Sequence, residues 1–536
     1  MTRTTLGLFL FFQALYALTS SGNAFRTPDE FEVYFQTENL FDNGDISVPQ
    51  TLEIRQPQVV DGKVVGTTSV FFGKIGLDGK PYAPYGPFAA VLALPHHAAA
   101  RALAGMLGIP RMPPGTGLAW VIFVGGVTML TTATASALAV AGFHRAVMAL
   151  GTPATPALWL SLLLGGASVM WPYGTSFYTE AWQAAAMIWA AALLLEARAA
   201  ERAAPRVLAA ALLLAIMGVI KVTSLVFAPA FVIAVLAERA MPSGSRYKVA
   251  MALTIAIAVA TLAHLGWNQY RFGSPFDFGY DWSETIPAPP PRTFLLSDLP
   301  RGLLVLLASP GKSMLLWAPI LVLSALSVTH MVKRDRVLTI GIAAAFLIGV
   351  TFYAAYLFPE GGYAHGPRHL VPIVPLLALL AAGPDAARWP GRALAACAIV
   401  GAVMAMLSVS VSFVEDQALR VGRNGLPIPN YYEIIDPARG RPSNRYRLEY
   451  IPFQTAMSTP GWMTEMPLGQ GPDFFPLHLR QARRQLPDGR SIPGSVIWWW
   501  PLMWVALLAA SAFYLRASHN REALVTPRVD TPALQP

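Results

Sequence analysis

Long apolar stretches recur along almost the whole chain, and they constrain its fold more than any other feature. Of the 536 residues, 54% are hydrophobic and 13% are charged, whereas a soluble domain carries roughly 25% charged residues. The mean hydropathy is +0.46. A chain this apolar must place much of its surface in lipid. This excludes a disordered protein, a fibrous repeat and an ordinary cytosolic enzyme.

The apolar stretches predict an all-α polytopic membrane protein with about twelve transmembrane helices. The first stretch, near 6–18, is also short enough for a signal peptide, but we favour an uncleaved helix because many spans follow it. The other predicted spans lie near 118–142, 156–173, 177–196, 206–220, 222–238, 248–266, 311–331, 337–357, 368–383, 391–412 and 496–515.

Basic residues mark one side of this predicted topology. The net charge of +9 would suggest a nucleic-acid partner in a soluble protein; here it indicates cytoplasmic helix ends, so we expect no nucleic acid and both termini inside. The stretch 206–238 then crosses twice, turning near Lys221, although a re-entrant pair is equally possible. The clusters are Arg145; Arg198, Arg202 and Arg206; Arg239, Arg246 and Lys248; Lys333, Arg334 and Arg336; Arg388 and Arg392; Arg516 and Arg521.

The predicted domain organisation follows from these spans. Residues 1–412 form a transmembrane catalytic region, within which 23–117 is a first periplasmic loop with interfacial helices. Residues 413–495 form a periplasmic loop domain, 496–515 the last span and 516–536 a cytoplasmic tail. The part of the first loop from 23 to 86 holds nine acidic and five basic residues, which agrees with a place outside.

Acidic residues stand out at two predicted outer helix ends. Asp29 and Glu30 follow Pro28, a residue that favours the start of a helix. Glu180 begins an otherwise apolar span, where an acid is costly unless it faces a cavity or a partner. For both sites the alternative is stabilisation by the helix dipole.

Two cations lie at the same predicted face. Lys312 stands in a Ser-Pro-Gly-Lys-Ser motif that is no phosphate-binding P-loop, because Leu306 replaces the first glycine. This lysine either meets a phosphate at the membrane surface or snorkels towards water. Arg368 ends the loop Gly-Gly-Tyr-Ala-His-Gly-Pro-Arg and heads a span. Its fork suits a phosphate, and a capping role is the alternative.

Seven short motifs follow one another within residues 1–415: TPDEFEVYFQTENLFDNGD, YAPYGPF, WPYGTSFYTEAW, KVTSLVFAPA, RFGSPFDFGY, SPGKSMLLWAPI and GGYAHGPRHLVPIVPLL. Their order resembles the bacterial polyprenyl-phosphate-dependent glycosyltransferases of the GT-C superfamily. Relatives of these enzymes are the protein O-mannosyltransferases and the lipid A aminoarabinose transferase. The segment 413–495 carries no part of this resemblance.

The resemblance implies a glycosyltransferase of the bacterial inner membrane. Its donor would be a sugar on a polyprenyl phosphate, and its acceptor a lipid, glycan or protein of the cell envelope at the outer face. The acidic residue of the first outer loop acts on the acceptor in such enzymes, which maps onto Asp29 with Glu30 adjacent. The expected substrate-binding residues are Tyr85, Glu180, Lys312, His365 and Arg368.

The sequence also bears on metal binding and on alternative functions. The spacings of a zinc site are absent, and Asp42-Asn43-Gly44-Asp45 lacks the spacing of a DxD motif, so no cofactor is predicted and a divalent metal is not indicated. The alternative function is a transporter or lipid-linked sugar flippase, for which charged residues near mid-membrane are typical. Here only Lys221 and His264 depart from the outer ends. A third alternative, a non-catalytic scaffold of the envelope, would not explain why the first outer loop is rich in acidic residues.

Overall fold

The computed structural model describes most of the chain. The described residues are 2–21, 27–53, 55–60, 63–69, 73–111, 118–239, 241–279, 294–309, 311–356, 359, 361, 364–410, 435–436, 441–442, 475 and 494–525. Most of the predicted periplasmic domain 413–495 therefore lies outside the described residues.

Helices dominate the described ranges, and we number the α-helices in chain order. They are α1 Arg3–Leu18, α2 Pro28–Asn43, α3 Phe88–Met106, α4 Leu118–Thr128, α5 Leu130–Ala149, α6 Ala154–Gly166, α7 Met170–Gly174, α8 Glu180–Ala197, α9 Ala204–Ile220, α10 Pro229–Ala237, α11 Ser243–Phe272, α12 Leu299–Leu307, α13 Met314–Trp317, α14 Ile320–Arg334, α15 Arg336–Ala354, α16 Val374–Ala378, α17 Gly391–Ser410 and α18 Gly494–Val525.

Shorter elements connect these helices. The 3-10 helices are Pro49–Glu53, Val222–Phe227, Leu296–Asp298, Arg368–Ile373, Leu379–Ala381 and Pro384–Arg388. Three antiparallel two-stranded pairs are formed by β1 Arg55–Val60 with β2 Lys63–Ser69, β3 Lys74–Ile75 with β4 Pro81–Tyr82, and β5 Ile435–Asp436 with β6 Arg441–Pro442. The strands fall in the predicted extramembrane loops.

Every predicted span coincides with helical structure, and the all-α membrane fold is confirmed. Among the described residues, five helices are long and apolar enough to cross a bilayer: Ile122–Ala149, Ser243–Phe272, Arg336–Ala354, Gly391–Ser410 and Ser495–Glu522. Other predicted spans correspond to shorter or broken helices, so the number of twelve crossings stays a prediction. The stretch 206–238 turns at Lys221, whose backbone is extended between α9 and the 3-10 helix that precedes α10.

Helix α5 occupies the centre of the bundle, with α1 and α8 packed against it. Its alanine-rich sequence lets these neighbours approach closely, as small residues do in membrane helices. At Gly142, an added Cβ would lie only 2.8 Å from the ring of Trp189 on α8. From α1, the Thr5 hydroxyl lies 2.9 Å from Nδ1 of His144 on α5. This packing fixes α8, and with it Glu180 at its first turn.

The last helix differs from the prediction, because α18 continues to Val525 instead of ending at 515 before a tail. Residues 516–525 are mostly good helix formers, so the helix does not stop where the apolar stretch stops. The extension also gains a contact, since the Thr4 amide donates to Glu522 Oε1 at 3.2 Å. The helix thus extends ten residues past the predicted span 496–515, and the cytoplasmic place of residues 516–536 stays a prediction.

The predicted basic side is one end of the bundle. Helix α8 runs from Glu180 at one end to Glu196, about 25 Å further along the helix axis. There Glu196 binds Arg145, while Arg198 binds Asp335 and, at 3.4 Å, Glu238. Charged residues from four separate connections thus meet at the end of α8 that lies away from Glu180.

Candidate active site

Two adjacent carboxylates at the start of helix α2 differ in exposure and in partners. Pro28 opens the helix after Thr27, whose backbone is extended, so Asp29 and Glu30 fall in the first turn. Adjacent helical residues point about 100° apart. The Asp29 side chain is 29% exposed and faces Arg368. Glu30 is fully buried, and its Oε1 accepts a hydrogen bond from the Phe177 amide at 2.9 Å. Glu30 therefore ties α2 to the segment before α8.

Arg368 joins carboxylates from two different helices. Its Nη2 donates to Asp29 Oδ1 at 2.6 Å, and its Nε donates to Glu180 Oε1 at 3.0 Å. The guanidinium carbon lies 4.0 Å from the ring centroid of Tyr178, so the cation also rests on an aromatic face. The side chain of Arg368 is only 7% exposed. One buried guanidinium thus brings together α2, α8 and the segment that begins at residue 368.

Lys221 completes the group of charges, which we call the Arg368 cluster: Asp29, Glu180, Lys221 and Arg368. Lys221 Nζ lies 2.9 Å from Glu180 Oε1, so a carboxylate that is 2% exposed contacts two cations. Lys221 is not among the site residues that the sequence predicts. The sequence feature that could have indicated it is a single lysine within the apolar stretch 206–238, at the predicted turn.

Two glycines shape the loop that delivers Arg368. Gly361 has φ +76°, and an added Cβ would lie 2.6 Å from the Cβ of Arg368. Gly366 has φ +63°, with the Trp317 ring 2.9 Å from the position of its missing Cβ. Both positions need a residue that accepts positive φ and has no side chain. The glycine-rich sequence therefore allows the loop to fold tightly around the start of the span.

Lys312 contacts this loop, and His365 belongs to it. Lys312 is 1% exposed, and its Nζ donates to the Ala364 carbonyl oxygen. The His365 ring stacks on Trp317 with centroids 5.8 Å apart, and its carbonyl oxygen accepts from the Tyr173 hydroxyl at 3.0 Å. In this structure the two residues support the shape of the loop before Arg368. A direct role in substrate binding stays a prediction for both.

Tyr85 reaches the cluster from the first loop. Its hydroxyl lies close enough to the Asp29 carboxylate to help lower the pKa of that group. The next residue, Gly86, packs against the end of α9, where an added Cβ would lie 2.2 Å from the Val219 carbonyl oxygen. This close approach holds the Tyr85 loop beside Lys221. Of the predicted site residues, the structure thus brings Asp29, Tyr85, Glu180 and Arg368 together.

The charge of Asp29 is set by its neighbours. Burial raises the pKa of Asp29, but the charge of Arg368 and its hydrogen bond, followed by Lys221 and Tyr85, lower that pKa to about 2. The carboxylate is therefore ionised at neutral pH, and its affinity for a proton is low while Arg368 is bound to it. Within the described part of the chain, no three His, Cys, Asp or Glu side chains form a metal-sized group.

Lys221→Met is expected to lower the free energy of unfolding by about 1–3 kcal/mol, because buried Glu180 loses one of its two cationic partners. Thermal unfolding of the purified protein in detergent measures the loss as a lower midpoint. The double variant Lys221→Met/Glu180→Gln should recover part of it, since a neutral amide needs no counter-charge. A double variant less stable than Lys221→Met would contradict the coupling.

Comparisons with known proteins give structural matches only. No family model and no curated protein matches the sequence. The fold is similar to ArnT from Cupriavidus metallidurans in the apo state, with 14% identity, a TM-score of 0.46, and coverage of 95% of this chain and 75% of that chain. For ArnT bound to undecaprenyl phosphate, the identity is 13%, the TM-score 0.45 and the coverage 97% and 77%.

An archaeal structure is similar at the same level. The oligosaccharyltransferase from Archaeoglobus fulgidus, in the apo form, is 13% identical with a TM-score of 0.43, and the match covers 90% of this chain and 58% of that chain. These solved structures are GT-C enzymes, the superfamily that the motif order resembles. Similarity this distant assigns no substrate and no residue role, so both must follow from the contacts of the chain itself.

Proposed function

We propose that this protein transfers a sugar from a polyprenyl-phosphate carrier to a cell-envelope lipid, glycan or protein. The observation that carries the proposal is the contact of buried Arg368 with a partly exposed carboxylate, Asp29, at one end of an apolar helix bundle. Such a transfer needs a base for the acceptor hydroxyl and cations for the phosphate leaving group, both next to lipid. The Arg368 cluster supplies these groups within hydrogen-bond distance of one another.

In the proposed reaction, Asp29 accepts the proton of the acceptor hydroxyl while the acceptor oxygen forms a bond to the anomeric carbon of the sugar. The bond between that carbon and the phosphate oxygen breaks, and the carrier phosphate leaves with the electron pair. Arg368 and Lys221 stabilise the growing negative charge on the phosphate. Glu180 acts as a positioning residue, because it contacts both cations.

The proposed place of the reaction is the outer face of the inner membrane. The cluster lies at the end of α8 opposite the end where Arg145 and Arg198 form their ion pairs. Basic residues favour the cytoplasmic side, so the cluster would face the periplasm. Nucleotide sugars are not available there, which agrees with a lipid-linked donor.

The placement of Lys221 and His264 supports a transferase over a transporter. In the sequence, Lys221 stands apart from the charges at the outer helix ends. In the structure it contacts Glu180 at the first turn of α8. His264 stacks on Phe278, just beyond the end of α11. Both residues thus contact groups near helix ends, whereas charges near mid-membrane are typical of transport pathways.

The direct test is a transfer assay with the purified full-length protein in nanodiscs. Undecaprenyl phosphates that carry a radiolabelled hexose or pentose serve as donors, and envelopes of cells that lack this protein serve as acceptors. We expect label in the envelope fraction, with release of one undecaprenyl phosphate per sugar transferred. Label that remains on the carrier but crosses the bilayer of proteoliposomes would instead support the flippase alternative.

Gly86→Ala is expected to reduce the transfer rate at least about tenfold, because its Cβ would clash with the Val219 carbonyl oxygen and displace Tyr85 from Asp29. The matched control is Gly105→Ala on α3, where the added Cβ meets nothing within 4 Å. Transfer rates and thermal midpoints are measured for both variants. Normal activity in Gly86→Ala would contradict a role of this loop in positioning Asp29.

A further inference from the structure

We infer that Asp29 and the carrier phosphate exchange places on Arg368, while Glu180 keeps its contacts with Arg368 and Lys221. This inference rests on the proposed function and assigns different roles to the two carboxylates. Asp29 is the exchangeable partner of Arg368, and Glu180 is the permanent one. Binding of the donor would thus release the base that the reaction needs.

Charge balance limits how a phosphate can enter the site. The Arg368 cluster contains two carboxylates and two cations, so its formal charges cancel. A phosphate that entered the intact cluster would add a negative charge to a largely buried site, which is costly unless it gains its own cationic partner. Because both cations are already occupied by carboxylates, one carboxylate has to give up its place.

The exposure of the two carboxylates decides which one leaves. Glu180 is 2% exposed and contacts both Arg368 and Lys221, so its departure would strand a buried charge. Asp29 is 29% exposed and contacts Arg368 through a single oxygen. Asp29 can turn towards solvent by a rotamer change and keep its hydration. The exchange therefore costs least at Asp29.

Arg368 is held in place for the exchange. Its Nε stays bonded to Glu180 at 3.0 Å, and its guanidinium carbon rests 4.0 Å from the Tyr178 ring centroid. Among the described residues, Nη1 has no hydrogen-bond partner, and Nη2 has only Asp29. When Asp29 leaves, the Nη1 and Nη2 edge faces the phosphate as a fork for two oxygens.

The exchange links donor binding to proton transfer. While Asp29 contacts Arg368, its pKa is held at about 2, which makes it a weak base. Separation from the guanidinium removes the largest attraction that lowers this pKa, so the free carboxylate accepts a proton more readily. The base is therefore weak until a donor phosphate occupies Arg368.

The test is the affinity of the full-length protein in nanodiscs for undecaprenyl phosphate, compared with neutral undecaprenol. Asp29→Asn and Asp29→Ala are expected to lower the Kd for undecaprenyl phosphate about tenfold, because the competing carboxylate is gone. Asp385→Asn is the matched control. Asp385 is an exposed carboxylate beyond the far end of the segment that Arg368 begins, and its variant should bind like the wild type.

The outcomes separate this inference from the proposed function. A wild type that binds undecaprenyl phosphate no better than undecaprenol would overturn both. A wild type that prefers the phosphate, together with Asp29 variants whose Kd is unchanged or higher, would overturn the exchange and leave the proposed function standing. Tighter binding by both Asp29 variants, with loss of transfer, would support the exchange.

A structure of the protein with bound undecaprenyl phosphate gives a second measurement. The distance from Glu180 Oε1 to Arg368 Nε should stay near the 3.0 Å seen here, while Asp29 Oδ1 moves out of reach of Nη2, from which it now lies 2.6 Å. Retention of the Asp29 contact beside a bound phosphate would contradict the exchange, as would departure of Glu180.

Discussion

Asp29→Asn is expected to lower the rate of sugar transfer by about 10²–10⁴-fold, the usual cost of losing a positioned general base. Asparagine has nearly the same size and can still accept the hydrogen bond from Arg368 Nη2, so the fold should persist. What is lost is the ability to accept a proton from the acceptor hydroxyl. The transfer rate with a radiolabelled lipid-linked sugar measures the effect, and carrier binding should survive in the same preparation.

The neighbouring carboxylate provides the comparison for this prediction. Glu30 is fully buried and its Oε1 accepts from the Phe177 amide, a bond that a glutamine oxygen can also accept. Glu30→Gln should therefore be much milder than Asp29→Asn. An inactive Glu30→Gln beside an active Asp29→Asn would mean that the base has been assigned to the wrong residue. Full activity in both variants would remove the first loop from catalysis and favour the transporter.

Replacement of Arg368 is expected to have the second large effect, on both binding and stability. Arg368→Ala leaves Asp29 and buried Glu180 without their shared partner, which costs about 3–5 kcal/mol of folding free energy for a broken buried ion pair. Binding of undecaprenyl phosphate should fall below detection. Thermal midpoints and carrier affinity of the purified protein are the two measurements.

Arg368→Lys keeps the test meaningful if the alanine variant does not fold. Lysine retains the charge but lacks the fork, so it cannot contact Asp29 and Glu180 from two nitrogens as arginine does. We expect a folded protein with clearly weaker carrier binding. Arg145→Lys, at the opposite end of α8, is the control for a general loss of arginine. Equal carrier affinity in Arg368→Lys and the wild type would contradict recognition by the fork.

Much of this architecture could be predicted from the sequence, because membrane insertion depends on local properties. A segment in lipid must satisfy its backbone hydrogen bonds internally, as a helix does, so the length and apolar character of each stretch indicate where the helices form. The same holds for the basic clusters, whose preference for one side needs no knowledge of packing. Asp29, Glu180 and Arg368 stood out for a related reason, since charge at the end of an apolar stretch is costly without a partner.

The partners of these residues were decided only by the tertiary structure. Asp29 and Arg368 are 339 positions apart, and nothing local indicates that they share a hydrogen bond. The sequence alone also left Lys221 unassigned and treated Glu30 as a second catalytic candidate. Packing of α2 against the segment before α8 turned Glu30 inward, and the turn after α9 brought Lys221 to Glu180. The sequence by itself determined which segments are apolar helices and which charges need partners, because both depend on local transfer energies. Which charges meet depends on how distant helices pack, and only the folded bundle decides that.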